Sequence, residues 1–225
     1  MVTAAKKAAA QRAAVQPIEG GELPARLFKG QKEWAAWLHK HHAASTGIWL
    51  RVAKKGGGSV SVSCPEALEL CLRYGWIDGQ RKSLDDAFFL QKYTPRRARS
   101  IWSKINQAKA LALIASGDMQ PAGLAEIERA KKDGRWDAAY DSQRNMAIPD
   151  DLSAALKARP KAARFFALLD SRNRYSVLLR LHTAKKAETR ALRLKTFVDM
   201  LARHETIHPL PPATAAKLAA EKPAG

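Results

Sequence analysis

The chain has few of the residues by which familiar sites are found. Cys64 and Cys71 are its two cysteines; seven residues apart on one helix, they stand about 10 Å apart along its axis, too far for a disulfide. They read as small, reduced core residues, as intracellular cysteines usually are. No run of about 18 apolar residues occurs, which excludes a helical membrane span. The opening "MVTAAKKAAAQRAAVQP" has alanines where a secretory signal needs an apolar block. A cytoplasmic location is the expectation. Also absent are a G-x-S-x-G elbow, a P-loop, G-x-G-x-x-G, H-E-x-x-H and any paired-cysteine zinc pattern. His39, His41 and His42 crowd one helix end, but no cysteine or nearby carboxylate completes a metal set. No cofactor, no metal and no catalytic residue is expected, and a non-enzymatic role is favoured over an enzymatic one.

Negative charge is the other scarcity. Against 39 Lys and Arg stand 21 Asp and Glu, a formal net charge of +18. That balance points to an anionic partner: a phosphorylated or carboxylated small molecule, an acidic protein surface, nucleic acid or anionic lipid. Apolar residues make up 46% of the chain, enough for a globular core.

Two low-complexity tails bracket that core, Ala, Lys and Gln at the start and Pro, Ala and Lys from His208 on. "KGQKEWAAWLHKHH" is helical, with Trp34, Trp37 and Leu38 on one face. "GIWLRVAK" alternates as a strand, Ile48, Leu50 and Val52 against Trp49 and Arg51; "KKGGGS" is a flexible turn and "VSVS" a short strand. Ser63 caps a helix that turns Ala67, Leu68, Cys71 and Leu72 inward and ends at Gly75. "WIDGQRK" and "AFFLQKYT" make a hairpin around "SLDD". After Pro95 the pattern is helical throughout. "SIWSKINQAKALALIASG" runs from a Ser cap to Gly117 with Ile101, Ile105, Ala108, Leu111 and Ala112 facing the core. Pro121 opens a helix closed by Gly134, and "DAAYDSQRNMAIPD" is a polar joint. Three helices follow it, the first capped by Asp150, and a last one carries Ala187, Ala191, Leu194, Val198 and Leu201 as a stripe.

The expected class is α+β, a small antiparallel sheet with packed helices followed by an all-helical C-terminal part. The expected boundaries are a disordered basic tail over 1–22, an α+β domain over 23–136, a helical domain over 137–207 and a disordered Pro/Ala/Lys tail over 208–225.

The chemistry gathers in "YTPRRARSIWSKIN", where a strand ending at Thr94 meets a helix start. Free backbone N–H groups and the positive end of the helix dipole favour an anion there. Arg96, Arg97 and Arg99 add forked donors, Ser100, Ser103 and Asn106 neutral hydrogen bonds, and Trp102 a flat face for stacking. Between Arg73 and Lys104 stand eight basic residues and three acids, Asp78, Asp85 and Asp86, so internal pairing leaves a surplus of five. Trp76, Asp78 and Lys82 are supporting residues, with Asp78 placed to orient Arg96 or Arg97. Lys186, Arg190 and Arg193 share a face of the last helix, a second basic surface of the kind that meets nucleic acid or acidic membrane. A solvated helix face is the alternative for those three.

Four segments in order, "YGWIDGQRKSLDD", "YTPRRARSIWSKIN", "GDMQPAG" and "AKKAETRALRLKTFV", resemble the YdeI/OmdA family, also called bacteriocin-protection or OmpD-associated proteins. The resemblance spans about Phe28 to Arg203. It implies a mixed α/β first part and a helical second part. It also implies a stress or envelope-protection role, in resistance to bacteriocins or antimicrobial peptides and in association with an outer-membrane porin. It carries over no catalytic residue. The leading expectation is a non-enzymatic protection protein holding an anionic ligand or partner at the basic turn. The alternatives are a nucleic-acid-binding module using the last helix and tails, and an enzyme acting on a phosphorylated or carboxylated small molecule.

Overall fold

The computed structural model describes residues 15–16, 23–56, 58–212 and 214–215. It divides into two compact units, the first ending at Ala139 and the second beginning at Tyr140.

The first unit is built on a mixed sheet. Its strands are β1 (Val15–Gln16), β2 (Ala25–Leu27), β3 (Ile48–Ala53), β4 (Trp76–Ser83) and β5 (Phe88–Pro95), in the spatial order β1-β2-β3-β5-β4. The hairpin β4–β5 and the pair β3–β5 are antiparallel, as the alternating runs imply. The pair β2–β3 is parallel, which the sequence reading missed. Three residues, "ARL", are too few for alternation to register, and parallel pairing depends on the crossover helix α1 (Gln31–His41) between them. "VSVS" is not a strand: the Val62 N–H bonds the Phe28 carbonyl at 2.9 Å outside any ladder, and Val60 is exposed.

One face of the sheet buries Ile48, Leu50, Val52, Trp76 and Tyr93 against α1 and α2 (Cys64–Arg73). Trp34 of α1 lies within it and donates its indole N–H to the Ala67 carbonyl at 3.1 Å, tying α1 to α2. The Ser63 hydroxyl and the Glu66 carboxylate form a reciprocal capping box at the start of α2, worth about 1 kcal/mol. Bonds from the Ser63 backbone and hydroxyl, and from Gln31, hold the Glu66 carboxyl below its usual range. Trp49, placed on the solvent side by the alternation, is buried on the other face with Ala25 and Leu90. The Lys82 and Lys92 ammonium groups lie over its ring at 4.9 and 5.6 Å. The central strand β3 is thus covered on both sides.

Two of the quoted motifs serve packing. Gly75, at φ +71°, ends α2, and a Cβ there would stand 3.0 Å from the Ala122 carbonyl. Helix α4 (Pro121–Lys132) enters so closely that a Cβ on Gly123 would meet the Arg73 carbonyl oxygen at 2.4 Å. The Gln120 N–H also bonds that carbonyl, and Arg73 pairs with Asp118. "YGW" and "GDMQPAG" are therefore two halves of one helix junction.

Helix α3 (Lys104–Ala115) departs from its expected phase. Its N-cap is Ser103, and it packs through Ala110 and Leu113. Ile101, Ile105, Ala108, Leu111 and Ala112, expected inward, are exposed. The run "ALALIA" is apolar all round, so periodicity does not choose a face; packing against Leu72, Trp102 and Ile127 does.

The second unit is helical: α5 (Asp150–Lys157), α6 (Pro160–Leu168), α7 (Ser171–His182) and α8 (Ala187–Ala202). The N-cap of α5 is Pro149, with Asp150 already in the first turn. Leu152, Phe165, Phe166, Val177, Leu181, Phe197, Val198 and Leu201 form its core. The α8 stripe reaches the core only from Leu194 onward, with Ala187 and Ala191 exposed. His208, where the C-terminal tail is expected to begin, is held on the second unit. Buried Asn173 holds the His208 backbone through two hydrogen bonds, and Ile207 and Leu210 pack on the core. Of the expected N-terminal tail, Val15–Gln16 pair with β2; the other residues of 1–22 lie outside the described ones.

Candidate functional site

The basic turn after β5 is ordered by its own side chains. Residues 97 to 100 form a tight turn in which the Arg97 N–H bonds the Ser100 hydroxyl and the Ser100 N–H bonds the Arg97 carbonyl, both at 2.9 Å. The Ser103 hydroxyl accepts from the Asn106 N–H at 3.2 Å as the cap of α3, so the helix begins at Lys104, four residues later than Ser100.

The three arginines separate. Arg96 is buried, 5% exposed, with its guanidinium 3.5 Å from the centre of the Trp102 ring and Nη1 on the Ile101 carbonyl. Arg97 and Arg99 are exposed. Trp102 is 1% exposed, with Arg96 over its ring and Trp136 at 4.9 Å, so it has no open face for a ligand to stack on. The alternation that leaves β5 turns one arginine inward and the neighbouring one outward. Of the seven residues expected at one anion, Arg97 and Arg99 present cations at the surface.

Beneath the turn lies a buried ionic cluster that sequence reasoning missed. Arg135, itself buried, donates to the Ser100 carbonyl at 2.9 Å, to Glu126 at 3.1 Å and to Asp133 at 2.8 Å. Glu126 is buried too and also bonds Arg129, which reaches the Arg96 carbonyl. Burial alone draws the Arg135 pKa down, but bonds to Asp133 and Glu126 outweigh it and leave the pKa raised. The cluster fastens the turn from below. Its local pair with Asp133 does not reveal the cluster, because the other partners of Arg135, Glu126 and the Ser100 carbonyl, lie 9 and 35 residues away in the chain.

The supporting residues part similarly. Trp76 is core, its indole N–H on the His42 carbonyl at 3.1 Å. Lys82 covers Trp49. Asp78 is exposed and holds neither arginine; Arg96 is oriented instead by Trp102 and a carbonyl. In the second unit, Arg190 is fixed by two bonds to Asp151, at 2.7 and 2.9 Å, and by a third to the Leu181 carbonyl. Arg193 bonds the Arg180 carbonyl at 2.5 Å, and Lys186 occupies the N-cap position of α8. Two of the three cations proposed for a nucleic-acid face are thus engaged within the unit. Among the described residues, no group of three or more His, Cys, Asp or Glu is placed to hold a metal.

A cleft of about 610 Å³ lies elsewhere on the first unit, between the loop after β3, the start of α2 and the β4–β5 hairpin. Its cations are Lys54, Lys55 and Arg81, and among the described residues no Asp or Glu lines it. Val52, Val60 and Phe89 give it an apolar wall. Arg81 is preorganised: its guanidinium lies 4.3 Å from the centre of the Phe89 ring, with Nε donating to Gln91 and Nη2 to the Cys64 sulfur. Ser61 uses its hydroxyl on the Ala53 N–H and the Val62 carbonyl, and Ser59 also lines the cleft. Gly56 and Gly58 carry the loop through positive φ. The readable signal was "AKKGGGS", two lysines beside glycines just ahead of a helix cap.

Two family models match the chain. Residues 145–204 match the family described as bacteriocin-protection, YdeI or OmpD-associated, and residues 26–126 match one described as a domain of unknown function. The family therefore covers a shorter stretch than Phe28 to Arg203, and of the four quoted motifs only "AKKAETRALRLKTFV" falls within it. No curated protein and no solved structure matches the chain. No helix of the described residues is long and apolar enough to cross a membrane.

Proposed function

We propose that this chain, whose residues 145–204 are of the bacteriocin-protection, YdeI or OmpD-associated family, serves protection as a cytoplasmic, non-enzymatic binding protein. Its first unit holds an organic anion with an apolar body in the cleft beside α2. The observation that carries this reading is the lining of the cleft, with Lys54, Lys55 and a fixed Arg81 around an apolar wall and no carboxylate among the described lining residues. A fixed guanidinium with two lysines beside it favours a phosphate or carboxylate head. Val52, Val60 and Phe89 favour an aliphatic or aromatic remainder.

The basic turn is the second reading, supported by exposed Arg97 and Arg99 in a segment free of acids. One panel separates the two. Thermal unfolding is followed with inorganic phosphate, octyl phosphate and octanoate, in wild type, in Lys54→Ala/Lys55→Ala and in Arg97→Ala/Arg99→Ala. Octyl phosphate is expected to raise the wild-type midpoint more than inorganic phosphate does, and the lysine pair is expected to lose that gain. All four replaced residues are exposed, so both variants are expected to fold. An equal gain in wild type and the lysine variant refutes the cleft; loss only in the arginine variant transfers the site to the turn.

A further inference from the structure

Helix α3 has an apolar surface that its own packing leaves uncovered. From Ala110 to Ala115 the helix reads ALALIA, apolar on every side, a composition suited to a helix covered all round. Yet its buried residues are Ala110 and Leu113 alone, with Gln107 bonded to the Trp136 carbonyl on the same side. Ile105, Leu111 and Ile114 are 52%, 53% and 39% exposed, and Ala108, Ala112 and Ala115 are exposed with them. At about 100° per residue these six spread over the half of the helix turned away from Ala110 and Leu113. Leu111 and Ile114 are one turn apart and adjoin, with Ala108, Ala112 and Ala115 continuing the face to Ile105 at its far margin, whereas a single exposed leucine would need no explanation.

Charge narrows what covers it. No acidic residue occurs between Asp86 and Asp118, while Lys92, Arg96, Arg97, Arg99, Lys104 and Lys109 do. Arg97 and Arg99 are exposed in the turn that leads into the helix, and Lys109 is half-buried on it. A second copy would bring the same cations and another +18 against this surface, so self-association through α3 is opposed. The surface is a convex helix flank of aliphatic side chains with cations at its leading end. Such a flank complements a broad apolar layer topped by negative charge.

We propose that α3 docks this protein on an anionic lipid surface. Leu111 enters the acyl boundary with Ile114 and Ile105 at the two margins of the face, and Arg97 and Arg99 meet the headgroups. The helix lies on the layer without crossing it: its twelve residues span about 18 Å, short of the hydrocarbon core. This site is separate from the cleft, and each stands without the other.

The test is flotation of the full chain with phosphatidylcholine vesicles, with and without phosphatidylglycerol, at low and at raised salt. Wild type is expected to float with phosphatidylglycerol vesicles and to keep part of that binding at raised salt, where purely electrostatic adsorption is lost. Ile105→Ser/Leu111→Ser/Ile114→Ser is expected to bind about tenfold more weakly and to lose the salt-resistant part. If the serines disturb folding, Leu111→Ala/Ile114→Ala carries the same expectation, reduced to several-fold. Arg97→Gln/Arg99→Gln is expected to lower the preference for phosphatidylglycerol. Lys54→Ala/Lys55→Ala is expected to keep the salt-resistant binding, so failure of the cleft and failure of this face are told apart. Wild type that does not float overturns the proposal, as does a serine variant that floats equally. So does light scattering that shows a wild-type dimer abolished by the serines, which would make the face a contact between copies.

Discussion

The two units treat positive charge in opposite ways. In the second, Arg190 and Arg193 look like a free basic face from their spacing, yet each is bound to a carboxylate or a carbonyl of its own unit. In the first, Arg135 sinks into the interior beside Glu126 and Arg96 beside Trp102, while Arg97, Arg99, Lys54 and Lys55 stay at the surface. Cation density is similar in the sequence of both regions. What differs is whether a carbonyl-rich helix end or a carboxylate lies within reach once the chain is folded. A basic run in a sequence thus marks where charge is made, and the surroundings decide whether it is offered to a partner.

Replacements at the buried and half-buried pairs test that contrast most strongly. Glu126→Ala leaves the Arg135 guanidinium buried without its innermost carboxylate, and a loss of about 3–5 kcal/mol in the unfolding free energy of the first unit is expected. Denaturant unfolding followed by tryptophan fluorescence reads it directly, because all six tryptophans lie in that unit. A loss below 1 kcal/mol would mean that Arg135 reaches solvent, and the distinction between the units would narrow.

Asp151 and Arg190 give the middle effect. The pair is about one-third exposed, so Asp151→Asn is expected to cost about 1–2 kcal/mol at neutral pH. The Arg190 hydrogen bonds, aided by the Leu152 N–H and opposed by burial, hold the Asp151 carboxyl below its usual range. A carboxyl whose folded pKa is depressed adds stability that is fully present above its unfolded pKa and fades as pH falls through the folded one. The gap between wild type and Asp151→Asn should therefore be widest near neutrality and close on acidification, as circular dichroism melts of the two would record. A gap that widened in acid would contradict the assignment.

The smallest effect belongs to the exposed arginines. Arg97→Ala/Arg99→Ala is expected to change stability by less than about 0.5 kcal/mol, since neither side chain is buried. A larger loss would place them with Arg96 as structural residues and remove the contrast within the turn itself.

Much of the fold was readable. Ser63 marked the start of α2, Gly75 and Gly134 marked two helix ends, and the hairpin around "SLDD" stood out by alternation. The parallel strand β2 was not readable, because three residues carry no period and its partner is supplied by a crossover. The candidate site was less legible than the fold. Loop "AKKGGGS" looked like mere flexibility until Arg81, from a strand 26 residues after Lys55, was seen to share its cleft.

Local sequence by itself determined the elements: which stretches are helix or strand, where caps and glycines end them, and that the chain carries far more cations than acids. Only tertiary structure decided which side of α3 is covered, which arginine of the basic turn points inward, and which lysines meet Arg81 at one cleft. The physical reason is range. Propensity, capping and periodicity act within a few residues, whereas burial and charge pairing depend on groups brought together from distant parts of the chain.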